Sequence, residues 1–240
     1  MINLAISLGL VVLVAVGMSF LDVSLLLGIP FGLVIGVAAF LFLSRRVQGK
    51  LEVIMGQMQK DIQANKLDRA IETLKKGYAF QNQQLFIKGQ INSQIGMLYY
   101  LKKDNETAFT YLQKGFIRHF IGQGMLAVIH YKRKDFDAMN KVMEATLKAN
   151  SKESICYGLY AYLLCQTKNT EKAIQVLQQG LKKLPKDQRL SSNLTLLQNN
   201  KRMKMKVYGD MWIQFLLERP PRIQQELPPH LRMKRKAMFR

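Results

Sequence analysis

The apolar positions of this chain follow two regimes. Ile2 to Leu21 and Val23 to Ser44 are runs without a charged residue, separated by Asp22. A helix needs ~20 mostly apolar residues to cross ~30 Å of hydrocarbon, so the two runs are too long for one span and right for two. Both must be helical, because hydrocarbon offers no partner to an open backbone. Asp22 falls where a tight turn can reach water. The expectation is a transmembrane helical hairpin over residues 1–46. A cleaved signal peptide would want a basic leading region and a shorter apolar core, whereas Met1-Ile2-Asn3-Leu4-Ala5 has no basic residue.

From about Val47 the apolar residues take up the helical period, with few strand signals and no proline before Pro185. Three segments repeat one another: Ala70, Leu74 and Gly77 recur as Ala108, Leu112 and Gly115, and again as Ala173, Leu177 and Gly180. A degenerate copy from Phe136 to Thr146 has Met139, Met143 and Thr146 at those places. Ahead of them stand Ile95-Gly96 with Tyr99, Leu126-Ala127 with His130, and Tyr157 with Tyr160-Ala161 and Leu164. The anchor positions 70, 108, 139 and 173 are 38, 31 and 34 residues apart.

These segments resemble the tetratricopeptide (TPR) family, whose period is about 34 residues. In that reading the small Ala lets two helices pack closely, Leu fills the seam one turn on, and the small last residue admits the next repeat's helix. Met at two of these places is an adaptable core filler. Pro185 falls where the family often stops a helix. The resemblance covers about residues 51–185. It implies an all-α fold: two transmembrane helices, then an α-solenoid of about four TPR-like helix pairs over 47–200. A helix near Leu190 to Asn199 caps the array, with Leu194 and Leu197 over its exposed apolar end. An amphipathic C-terminal helix is expected at 201–218, including Trp212, Ile213, Phe215 and Leu216. Arg219-Pro220-Pro221 stops it, and 219–240 is a Pro-containing basic tail.

The resemblance also implies a concave groove lined by the first helix of each pair. The family's groove positions fall on Gln90, Ser93, Met97, Tyr100 and Leu101, then Ile121, Gly124, Val128, Tyr131 and Lys132, then Ile155, Gly158, Tyr162 and Cys165. The candidates for partner contact are Met97, Tyr100, Leu101, Val128, Tyr131, Lys132, Ile155 and Tyr162. Such a lining suits an amphipathic helix or extended peptide with apolar anchors. The competing occupant is the chain's own cap or its 207–217 segment. The Lys- and Asn-rich clamp that holds chaperone tails in some TPR proteins is not matched: Met55, Gln59, Gln94, Ile121 and Met125 stand there.

Charge sharpens the division of the chain. All 36 Lys and Arg follow residue 44, and Asp22 is the one acid before it. Arg45, Arg46 and Lys50 directly follow the second run, and basic residues at a span end stay cytoplasmic. This predicts two spans with both termini in the cytoplasm. That the membrane is the inner (plasma) membrane of a bacterium is implied by the chain's resemblance in architecture to TPR membrane proteins of bacteria. Ser24, Gly28, Gly32 and Gly36 put small residues on one face of the second span, where another helix can approach closely. That helix is the first span or a subunit of a larger membrane complex. Residues 201–240 hold 11 basic and 3 acidic side chains, ending with Arg232, Lys234, Arg235, Lys236 and Arg240. Anionic lipid is the favoured contact of this tail. An acidic protein comes second, and nucleic acid last, for want of an RNA-reading fold.

Catalytic chemistry finds little support. There is no phosphate-binding Gly-rich loop or metalloprotease helix, and His119, His130 and His230 are isolated. Cys156 and Cys165 lie nine apart with no ligand-like spacing, against a zinc site or a disulfide framework. No enzyme activity, cofactor or metal is expected. The leading expectation is a membrane-anchored adaptor that holds a partner helix or peptide and aids assembly or localisation of an envelope complex. Two spans followed by TPR pairs resemble, in architecture alone, the haem-pathway-associated and envelope-assembly TPR membrane proteins of bacteria. The alternatives are a permanent subunit of a membrane complex and a membrane tether for RNA or ribosomes.

Overall fold

The computed structural model describes residues 1–20 and 25–218, and among these there is no strand. Helices α1 (Ile2–Ser19) and α2 (Leu25–Gln63) form an antiparallel hairpin. Both are long and apolar enough to cross a membrane. The outer faces expose Leu13, Val34 and Phe42, each 69% accessible, so the hairpin is no buried core of a water-soluble domain. Apolar surface of this extent marks a face that a protein or a lipid surface covers. The glycine face of α2 lies against α1. A Cβ at Gly28 would stand 3.4 Å from the Ala15 carbonyl oxygen, and one at Gly32 only 2.8 Å from that of Val11. Gly36 faces Val11 and Ser7 in the same way. Asp22 lies outside the described residues.

Helix α2 does not stop where the hydrophobic run ends. It continues through Pro30 and past Arg46 to Gln63 as one 39-residue helix. Its last four turns are the first helix of the first pair, so no linker separates hairpin from solenoid. Its partner is α3 (Leu67–Lys75). Buried Asp61 ties the two together: its carboxylate accepts from Thr73 Oγ1 at 3.1 Å and pairs with Arg69 at 3.5 Å. A buried charge is tolerated only when so satisfied.

Three further pairs follow: α4 (Ile87–Leu101) with α5 (Asn105–Leu112), α6 (Phe120–Lys132) with α7 (Phe136–Ala149), and α8 (Ser154–Gln166) with α9 (Thr170–Lys183). The repeat positions form the seam. Ala70, Ala108, Met139 and Ala173 are buried, as are Leu74, Leu112, Met143 and Leu177. Each turn within a pair holds one residue in the left-handed region, Asn65, Lys103, Lys134 or Lys168. In the last three pairs an Asp or Asn follows and caps the second helix: Asp104, Asp135 and Asn169 each accept a backbone N–H three residues on. Helix α10 (Gln188–Gln198) covers the open end, with Leu190 and Leu197 buried against α8 and α9.

The expected amphipathic helix at 201–218 is not formed. A single 3-10 turn (Met205–Tyr208) and a four-residue helix α11 (Asp210–Ile213) stand there instead. Gly209 separates them at φ +60 and ψ −138, a backbone conformation that glycine takes without a Cβ penalty and that no helix continues through. The segment is better described as a strap. Met205, Tyr208, Trp212 and Phe215 recur at helical spacing and are all buried, although the backbone between them is broken.

Candidate functional site

The strap lies in the concave face of the solenoid. Phe215 enters the bay opposite Gly124 of α6, where a Cβ would stand 2.6 Å from its ring. Tyr208 enters the bay opposite Gly158 of α8, where a Cβ would stand 2.7 Å from its Cζ. Trp212 meets Tyr162 edge to face at 4.8 Å between ring centres. A polar relay fixes the arrangement: the Lys132 ammonium donates to the Tyr100 hydroxyl at 3.3 Å, and that hydroxyl donates to the Phe215 carbonyl. Burial lowers the Lys132 pKa and raises that of Tyr100. Burial likewise pushes the Tyr208 phenol up to about 12.

Most of the groove expected to receive a partner is therefore filled by the chain itself. Tyr100, Val128 and Ile155 are buried beneath the strap and its neighbours, so as lining free for a partner they are corrected. Met97, Tyr131 and Tyr162 are half-buried, and all three belong to the core that includes the strap. Leu101 stays exposed at the rim; Lys132 is exposed as a residue, while its ammonium turns inward to the Tyr100 hydroxyl. Ser93 is not a groove residue. Its hydroxyl donates to the Gly89 carbonyl and accepts from Phe116 N–H, closing the turn between repeats. The physical reason for the closure is the pair of glycines. They leave two ring-sized bays, and the chain supplies two rings.

The strap stops short of the first pair. There a cavity of about 240 Å³ remains, floored by Leu51, Ile54, Met55, Leu74, Ile87 and Ile91. Gln90, Gln94, Phe116, Arg118 and His119 complete it. Leu74, Met55, Gln90 and Gln94 were named from the repeat register; Phe116, Arg118 and His119 were not, since 116–119 reads as a connection between repeats. His119 has a structural task. Its Nδ1 accepts Gly122 N–H at the start of α6, and its Nε2 faces the Gln94 side-chain amide at 3.1 Å. With Nδ1 an acceptor, the neutral ring carries its proton on Nε2, which then donates to the Gln94 amide through that amide's oxygen and not its nitrogen. Burial lowers its pKa, which favours that neutral form. Arg118 is exposed and has no ion-pair partner among the described residues.

Other side chains offer little chemistry. Burial pushes the Cys156 thiol up to about 12 and also raises Cys165, so neither is a ready thiolate. No group of three metal-ligating side chains converges among the described residues. Arg232, Lys234, Arg235, Lys236 and Arg240 lie outside the described residues.

No family model matches this sequence, and no curated protein matches it. Among solved structures, a MamA RS-1 ArsTM double mutant is similar over 69% of this chain and 92% of its own, at 17% sequence identity and a TM-score of 0.46.

Proposed function

We propose that this chain is a membrane-anchored adaptor of a bacterial inner membrane. On this reading the α1–α2 hairpin is the anchor, and the solenoid holds a partner protein on the cytoplasmic side. Arg45, Arg46 and Lys50 after the second span favour that orientation. The tail from Arg232 to Arg240 is read as lying on anionic lipid. The role is to aid assembly or localisation of an envelope complex rather than to catalyse a reaction.

The observation that carries this reading is the unfilled end of the groove. The cavity lined by Leu51, Met55, Ile87, Ile91 and Gln90 is apolar and concave, and no strap residue lines it. Its size suits one or two apolar side chains of a partner. Exposed Arg118 at its edge favours a carboxylate next to that apolar anchor. The partner is accordingly an amphipathic helix or peptide with an acidic residue flanking its hydrophobic one. The reading as a permanent subunit of a membrane complex loses one of its two motives, because the glycine face lies against α1; the other, the tail from Arg219, lies outside the described residues.

The test is photocrosslinking in native membranes from a photoreactive residue at position 90. Capture of one protein, abolished by Met55→Glu and reduced by Arg118→Glu, supports the reading. Crosslinks confined to the chain itself sink it. From position 131 the expected product is different: a crosslink to the chain's own strap.

A further inference from the structure

The hairpin also touches the solenoid at a second place. The backbone N–H of Ile2 donates to the Asn82 carbonyl at 2.8 Å, and that of Asn3 donates to the Gln83 carbonyl at 3.3 Å. Loop 81–86, between the first and second pairs, thus sits level with the first turn of α1. Leu4 of α1 and Phe40 of α2 share a cavity of about 290 Å³ with Gln83, Gln84 and Leu85 of this loop. Phe40 lies one turn before the end of the apolar run at Ser44. The loop therefore reaches the depth at which the spans are still apolar.

The side chains that the loop exposes fit that depth. Leu85 is 49% accessible and Phe86 59%. Phe86 is held in the left-handed region at φ +70, which is costly for a bulky side chain. Its carbonyl accepts Gln90 N–H, and its ring leans on Phe116 at 5.0 Å between centres. Next to Phe116, Ile117 is also exposed. Around these apolar groups Lys88, Lys114 and Arg118 are exposed, and Arg45, Arg46 and Lys50 are exposed on α2 as it leaves the apolar run. No acidic residue occurs from 73 to 103 or from 107 to 134. Aromatic and aliphatic groups ringed by lysine and arginine are the make-up of surfaces that lie in the headgroup layer of anionic membranes.

We propose that loop 81–86, with Ile117 beside it, is a second bilayer contact that sinks Leu85 and Phe86 into the headgroup–acyl boundary of an anionic membrane. This rests on the hairpin being a membrane anchor. The contact fixes the tilt of the solenoid, because a single helix crossing the surface at residues 44–46 would otherwise leave it free to swing. It also sets the open cavity close to lipid, since Phe116 and Arg118 line that cavity while standing beside the loop. A partner reaching the cavity must then approach along the membrane surface.

The test uses the full chain in nanodiscs of phosphatidylcholine and phosphatidylglycerol. A photoreactive residue is placed in turn at 12, 86 and 179, and phospholipid adducts are read by mass spectrometry. Val12 is exposed on the outer face of α1, and Gln179 is exposed on α9. The expected result is lipid adducts at 12 and 86 and none at 179. Adducts at 12 without adducts at 86 overturn the loop contact and leave the anchor intact. Absence at both 12 and 86 overturns the anchor reading and the loop contact with it. Equal yield at 86 and 179 also overturns the proposal, because contact would then not be specific to the loop.

Discussion

Small residues in the groove do what large ones could not. Gly158 stands under the Tyr208 ring, so Gly158→Val drives a methyl group into atoms that have no room. Overpacking of this kind costs ~1–3 kcal/mol. The expected outcome is a lower urea midpoint together with new proteolytic cleavage near Lys201–Lys206, as the strap leaves its bay. Tyr100→Phe removes the hydroxyl that joins Lys132 to the Phe215 carbonyl. It should cost ~1 kcal/mol, the net worth of a typical hydrogen bond. His119 makes stability depend on pH. Its folded pKa is lowered by burial, so the unfolded chain binds the proton more readily. Stability is then lost as pH falls below about 6.5, the ordinary value for His, toward the lower folded pKa. His119→Asn keeps an acceptor for Gly122 N–H and removes the titration. Urea melts above and below that pH should show a smaller difference for the variant than for the parent. An unchanged difference would assign the pH dependence to other groups.

Elements in this chain are set by their ends as much as by their faces. The four left-handed turn residues 65, 103, 134 and 168 keep the same 38, 31 and 34 spacing as the seam positions. The third pair, whose seam has Met for Ala and Leu, obeys that geometry as well as the others. It was read from Met139, Met143 and Thr146, and the structure adds a second signal in Lys134-Asp135, the same turn-then-cap dipeptide as Lys103-Asp104 and Lys168-Asn169. The hairpin is an element of a different kind, held by backbone approach rather than by side-chain volume. Gly32→Leu would place a side chain against the Val11 carbonyl, and the backbone has nowhere to move. Spin labels at Val12 and Val34 should read a wider separation in that variant, with the solenoid's own melt unchanged. The strap behaves oppositely. Its apolar residues have helical spacing, which predicts one helix, yet Gly209 breaks it and burial in separate bays compensates for the lost backbone hydrogen bonds.

At the scale of the whole molecule, the long helix α2 joins the apolar hairpin to the first helix pair without a linker. On the anchor reading, a helix that runs unbroken from Leu25 to Gln63 would carry the position of the membrane to the first pair. Alkaline carbonate should leave the full chain with the membrane pellet; release into the supernatant would remove the anchor. Much of this plan was already in the sequence. Two uncharged runs, a step to helical period and a recurring Ala–Leu–Gly pattern are local properties, because burial in lipid or in a helix seam imposes a period that one strand of sequence must carry. The small residues at Gly124 and Gly158 and the capping helix were legible for the same reason. Other features depended on what comes together in space. No local signal says that Phe215 lies opposite Gly124, that His119 caps α6 while touching Gln94, or that loop 81–86 returns to the first turn of α1. Those contacts join residues far apart in the chain, and their free energy depends on shape fit that no single segment encodes. Whether the groove was open or filled was decided there, by two glycine bays and two aromatic rings from the other end of the chain.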